Sequence, residues 1–139
     1  NAYRYSLIQT ETLVPPQDIA ARMNLKTNKK ILHVICLHLA DAKPYVFENR
    51  WINPDVVPTI NGVDFSTKSP NEWLVENIPF TAGDITFSAL AAGAFEAEIL
   101  ACKTGEGLFV IDRSTWKDER AITSVRLVFA PGYQLHTDL

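Results

Sequence analysis

Two arginines, Arg113 in Asp112-Arg113-Ser114-Thr115-Trp116 and Arg126 in Ile122-Thr123-Ser124-Val125-Arg126-Leu127, are the residues of this chain best suited to hold a ligand. A guanidinium presents a planar fork of donors that matches a carboxylate or a phosphate through two parallel hydrogen bonds. Both arginines lie on strand-like segments flanking Lys117-Asp118-Glu119-Arg120. An even loop there sets Arg113 opposite Ser124 and Ile111 opposite Arg126, which puts Arg113, Thr115, Ser124 and Arg126 on one sheet face. Glu48 and Arg50 are two apart on another strand and share a face in the same way. An even loop in their hairpin sets Glu48 opposite Ile35 and Arg50 opposite His33, gathering Glu48, Arg50 and His33. Each motif also has an ordinary reading. Strand arginines are often solvated or paired with nearby acids, residues two apart often form a surface ion pair, and His33 and His38 in an apolar strand suit structural roles. Tyr133, held just after Pro131-Gly132, either carries its hydroxyl over a pocket mouth or caps the core.

Enzyme signatures are missing. The chain has no Gly-rich phosphate loop, no G-x-S-x-G elbow, no H-E-x-x-H and no close His/Cys pair, so no catalytic residue, metal ligand or cofactor is expected. Cys36 and Cys102 sit in apolar stretches far from each other and from metal-like spacing, as buried thiols of a reducing, cytoplasmic compartment do. No apolar run approaches the roughly 18 residues of a membrane span. Lys and Arg number 13 against 16 Asp and Glu, a net charge of −3, and nothing basic clusters beyond Lys29-Lys30. Direct grip on a nucleic-acid backbone is therefore not expected of this segment.

The positioning elements follow from periodicity. Alternating Tyr3, Tyr5, Leu7 and Leu13 predict a strand to Val14, stopped by Pro15-Pro16, and Ile19, Ala20 and Met23 predict a short helix over Gln17–Asn24. Lys29–Ala40 reads as a strand covered on both faces, and Asp41-Ala42 as a turn into a strand from Pro44 to Asn53. There Tyr45, Phe47 and Trp51 share a core face, with Val46, Glu48, Arg50 and Ile52 on the other. Ser69-Pro70-Asn71-Glu72 forms a capping box for a helix to about Asn77, with Trp73 in the core. Asp84–Ala91 predicts a strand, Gly93–Lys103 a helix with Phe95, Ile99 and Leu100 inward, and Leu108–Trp116 with Ala121–Phe129 a closing hairpin.

At 139 residues and 47% hydrophobic, the chain is a single domain, long enough to bury roughly 68–70% of its unfolded surface. The expected class is α+β, a mainly antiparallel sheet with flanking helices. Asn1-Ala2 opens the chain without a methionine, as a segment of a longer protein with residues left from cloning would.

Together these blocks carry a resemblance. Val46-Phe47-Glu48-Asn49-Arg50-Trp51-Ile52-Asn53-Pro54, Ser69-Pro70-Asn71-Glu72-Trp73-Leu74, Asp112–Trp116, Ile122–Leu127 and Pro131-Gly132-Tyr133-Gln134-Leu135 resemble the UTRA effector-binding domain of GntR-type bacterial repressors, from Tyr3 onward. Within that family they look most like the histidine-utilisation branch, whose inducer is urocanate. The resemblance implies a chorismate-lyase-like fold, a homodimer, an N-terminal winged helix-turn-helix that binds operator DNA and is missing here, and relief of repression by a small carboxylate. It implies ligand contacts at Glu48, Arg50, Arg113, Arg126 and Tyr133, beside Thr115 on the Arg113 face. A guanidinium would hold the carboxylate, and Glu48 would accept the imidazole N–H. Ser88 stands where relatives often carry a glutamate, so Ser88 joins the contact set and another small anion, such as a sugar phosphate, is the alternative inducer. A lyase acting on an aromatic carboxylic acid with the same fold, and a dimerisation module without a ligand, are the readings from other classes.

Overall fold

The alternation that begins at Tyr3 becomes a strand in the computed structural model, which describes residues 3–139. Asn1 and Ala2, read above as a cloning remnant, lie outside the described residues. The elements run β1 (Tyr3–Leu13), α1 (Gln17–Arg22), β2 (Ile31–Ala40), β3 (Lys43–Ile52), a 3-10 helix at Pro58–Gly62, α2 (Pro70–Asn77), β4 (Ala82–Ala91), α3 (Ala94–Ile99), β5 (Gly107–Lys117) and β6 (Arg120–Phe129). All six strands join one sheet in the order β1-β2-β3-β6-β5-β4, antiparallel at every pairing. It consists of two three-stranded meanders joined between β3 and β6. Among the described residues no helix is long and apolar enough to cross a membrane.

Two-residue turns close both inner hairpins. Asp41 and Ala42 take φ 51° and 65°, and Asp118 and Glu119 take 50° and 70°. Positive φ at both central positions gives the tight turn whose twist matches that of the strands. Each hairpin then departs from simple alternation through a one-residue bulge. Ala40 pairs with Lys43 and Leu39 with Pro44, but His38 pairs with Val46, so Tyr45 is the extra residue. Trp116 pairs with Ala121, but Thr115 pairs with Thr123, so Ile122 is the extra residue. A bulge moves every later residue of one strand by one place against the other.

Both even-loop registers are corrected by these bulges. Glu48 stands opposite Cys36 and Arg50 opposite Val34, so His33 belongs to the other face of the sheet. Arg113 stands opposite Val125 and Arg126 opposite Asp112, so the two arginines point to opposite faces. Tyr45 also leaves the row of Phe47 and Trp51. Half-exposed at the bulge, it packs edge-on to Phe129 and Tyr133.

Hydrophobic burial fixes what covers each face. The front face carries Leu32, Val34, Cys36 and Ile52, roofed by Val57, Ile60 and Phe65 around the 3-10 helix and by Leu74 of α2, with Trp73 packed alongside. On the back, Met23 with Ile19 of α1 packs on Ile31, Trp51 and Ala121. Phe47, Val110 and Val128 meet Ala92 and Leu100 around α3 farther along the same face. That helix is shorter than periodicity suggests. Ala101 takes φ 53° just beyond it, and Phe95 stays exposed with its ring edge-on to Phe47, while Leu100 is buried.

Candidate functional site

The front face holds a charged cluster inside an otherwise apolar layer. Glu48, only 2% exposed, accepts from Arg50 Nε on Oε2 at 2.6 Å and meets His38 Nε2 through Oε1 at 2.7 Å. His38 Nδ1 in turn meets the hydroxyl of Tyr3. Arg50, 1% exposed, also donates from Nη1 to Thr123 Oγ1 at 3.3 Å, and the Thr123 hydroxyl donates a hydrogen bond to the Trp51 carbonyl at 2.7 Å. Burial alone would push the Glu48 carboxyl up. The Arg50 charge and the hydrogen bonds from His38 and Arg50 overcome it and hold the group down to about 2. Burial pushes the neighbouring Cys36 thiol up to about 12, reinforced by the Glu48 charge, so this cysteine is no nucleophile.

Beside this cluster a cavity of about 130 Å³ opens between the sheet and α2. Arg50, Arg113, Thr115 and Thr123 form its polar side, and Leu74, Ile78, Phe80 and Ile122 its apolar wall. α2 is placed by its cap: Ser69 Oγ accepts from the Glu72 backbone N–H at 3.3 Å, and Pro70 occupies the first helical position. This orientation aims Asn71 at Arg113, whose NH2 donates to Asn71 Oδ1 at 2.7 Å. Arg113 forms no ion pair among the described residues. Burial and the nearby Arg50 charge press its guanidinium downward from its ordinary value, against the pull of Glu48. Glu48 neutralises Arg50, so the cavity keeps one unmatched positive charge.

The remaining sequence-predicted residues lie elsewhere. Arg126 is on the back face, clamping Asp112 through Nε at 2.9 Å and NH2 at 3.1 Å. Ser88 is exposed on β4 opposite Val110, a back-face core residue. Tyr133 stacks on Phe129 at 3.9 Å and on Phe109 at 5.6 Å, in an aromatic row that does not line the cavity. His33 lies flat against Trp51 at 3.9 Å and meets Asn49 Oδ1 through Nε2. Asn71, Thr123 and His38 were not singled out as site residues. The S-P-N-E cap that marked α2 already contained Asn71, whereas Thr123 and His38 were hidden by the bulges. A larger cavity, about 340 Å³, opens on the back face against α1, where Arg126 is already matched by Asp112. On the front face, by contrast, the half-buried Arg113 forms no ion pair among the described residues.

Residues 1–133 match the UTRA domain model. The chain belongs to the UTRA domain family. It is 27% identical over 130 residues to the histidine utilization repressor of Pseudomonas aeruginosa, covering 94% of this chain and 52% of that protein. Against the histidine utilization repressor of Pseudomonas putida it is 26% identical over 113 residues, covering 81% and 45%. The UTRA chain thus spans about half the length of these curated relatives. In architecture it superposes on the crystal structure of the C-terminal domain of histidine utilization repressor from Pseudomonas syringae pv. tomato with a TM-score of 0.91, at 24% identity and 99% coverage of both chains. The ligand-binding domain of a GntR-family transcriptional regulator from Bordetella bronchiseptica gives 0.83 at 18% identity, covering 100% of this chain and 91% of that one. The chain is thus a UTRA domain by its family match and shares its fold with these regulator domains, and the curated relatives it is similar to are histidine utilization repressors.

Proposed function

We propose that the domain senses urocanate and thereby relieves repression of histidine-utilisation genes. The observation that carries this reading is Arg113: half-buried, without a carboxylate partner, at the rim of an apolar-walled cavity. A small planar carboxylate supplies the missing charge through a bidentate pair while its ring lies against Leu74, Ile78 and Phe80. Asn71 holds the guanidinium in place and Thr115 offers a hydroxyl beside it. Glu48 acts at one remove. Both its oxygens are engaged, so it fixes Arg50 rather than meeting the imidazole.

In this reading the domain follows an N-terminal winged helix-turn-helix in the complete protein, which works in the cytoplasm as a homodimer and carries out no catalysis. Similarity to histidine utilization repressors along nearly the whole chain supports the pathway. Switching requires only that the ligand bind one dimer arrangement better than another; a 5–150-fold change in operator affinity, about 1–3 kcal/mol, is ordinary for such coupling. The test is operator binding by the complete protein with and without urocanate. Weaker DNA binding with urocanate supports the reading, and an unchanged operator affinity overturns it.

A further inference from the structure

Strand β2 puts His33 on the back face of the sheet, away from the Arg113 cavity, and leaves one of its ring nitrogens without a partner there. The residue is 8% exposed and its ring lies flat on Trp51. Nε2 stands 2.6 Å from Asn49 Oδ1, an atom that only accepts, so Nε2 carries the proton and Nδ1 keeps its lone pair. Nδ1 is the one buried side-chain polar atom among the described residues with no hydrogen-bond partner. Folded proteins rarely leave such an acceptor unmatched, because nothing repays its lost hydration. His33 lines the back-face cavity of about 340 Å³ that opens against α1. Ligand pockets span roughly 300–1,000 Å³, and a single water at Nδ1 would leave most of this space unfilled.

The charges around the cavity are already settled. Asp112 takes Arg126 through both oxygens, and Asp18 and Arg22 stand one turn apart on α1. Two acids face two guanidiniums, so nothing here calls for an ion. What is left over is hydrogen-bonding capacity. Besides the His33 acceptor, Ser124, 1% exposed, accepts from Ser114 Oγ at 3.1 Å and keeps its own hydroxyl proton to give. Asn49 Nδ2 makes no hydrogen bond among the described residues.

We infer that this back-face cavity is a second ligand site, distinct from the Arg113 cavity, and that it takes a small uncharged polyol. A hydroxyl is the group that fits: it donates to His33 Nδ1, and its oxygen accepts at the same time. Further hydroxyls repeat the match, accepting from Ser124 Oγ and Asn49 Nδ2 and donating to the free lone pairs of Asp112. An anion deep in the cavity would have to part Asp112 from Arg126. A purely apolar molecule would leave Nδ1 orphaned. The two sites sit back to back. Trp51 and Ser124 alternate along β3 and β6 with Arg50 and Thr123 of the front cavity, and the Thr123 hydroxyl bonds the Trp51 carbonyl. Ligands therefore enter from opposite sides of one sheet and do not compete. This inference goes beyond the sensing of a carboxylate and does not rest on it.

The test is calorimetric titration of the chain with myo-inositol, paired with nitrogen NMR of its imidazole rings. Saturable binding is expected, with the unprotonated Nδ1 of His33 moving upfield as it accepts a hydrogen bond and the rings of His38 and His136 unmoved. His33→Phe keeps a ring against Trp51 but removes the acceptor, and should weaken binding roughly tenfold or more, because a buried hydroxyl then goes unpaired. No saturable binding, as when water alone fills the cavity, overturns the inference. So does binding that leaves the His33 Nδ1 resonance in place, or binding of equal strength in His33→Phe. Should that variant fail to fold, the resonance of the wild type decides alone. No carboxylate ligand enters these experiments, so failure here leaves the urocanate reading standing, and failure of urocanate to bind leaves this site standing.

Discussion

Arg50 finds its counter-ion two residues away on the same strand, with Nε 2.6 Å from Glu48 Oε2, whereas Arg113, lining the same cavity, has an amide oxygen of Asn71 as its partner. The one carboxylate nearby pairs with the buried Arg50, and the half-buried Arg113 has no ion-pair partner among the described residues. The cavity is left electropositive, and in the proposed reading the ligand brings the balancing charge.

Replacing Arg113 by alanine should therefore remove most of the affinity for a carboxylate ligand. Truncating one side of a buried charge pair costs about 2–5 kcal/mol. Titration of Arg113→Ala beside the wild type checks this, and equal affinity of the two proteins contradicts it.

Arg50 has a different role, and its loss should appear in stability. Arg50→Ala leaves Glu48 buried with only His38 beside it, a situation that typically costs about 3–5 kcal/mol. Urea unfolding should show a lower midpoint with an unchanged slope. Replacing Glu48 and Arg50 together by apolar residues should destabilise less than Arg50→Ala alone, since no orphaned charge remains.

The same pair dictates behaviour in acid. The folded-state pKa of Glu48 is lowered from 4.5 to about 2. A depressed carboxyl contributes stability that is fully present above the unfolded value and is lost as pH falls through the folded one. Stability from this group should decline between pH about 4.5 and 2, and Glu48→Gln should flatten that part of the profile. Unfolding free energies measured across this range test it.

Arg126 should matter far less than its sequence context suggests. It is exposed at 51% of its side chain and binds Asp112 on the face away from the cavity. Arg126→Ala should change stability by no more than about 1 kcal/mol, the range of exposed ion pairs, and leave ligand affinity unaltered. A large loss of binding would place the ligand on the back face instead.

The contrast between Arg113 and Arg126 also marks where the sequence stops being legible. Strand periodicity, the Ser69 cap and the two turn sites locate every strand and α2 to within a few residues, because each rests on local chemistry: alternation, a capping hydroxyl, residues tolerant of positive φ. Facing across a hairpin is not local. One extra residue at Tyr45 and one at Ile122 leave the hydrophobic pattern nearly unchanged yet turn Arg126 and His33 to the back face and bring His38 to Glu48. Ile122 is apolar and buried, so nothing in its type announces a bulge. Glu48 and Arg50, and likewise Arg113 and Thr115, share a face in both views because the members of each pair stand two apart on a regular stretch of one strand, whereas the pairing of β3 with β6 and of β6 with β5 brings the two pairs to the same face.

The central claim is tested most directly by calorimetric titration of this 139-residue chain with urocanate, beside histidine and a sugar phosphate as controls. Saturable one-site binding of urocanate, absent for both controls and lost in Arg113→Ala, is the predicted result. Binding of the sugar phosphate in place of urocanate, or no heat with any of the three, would contradict it.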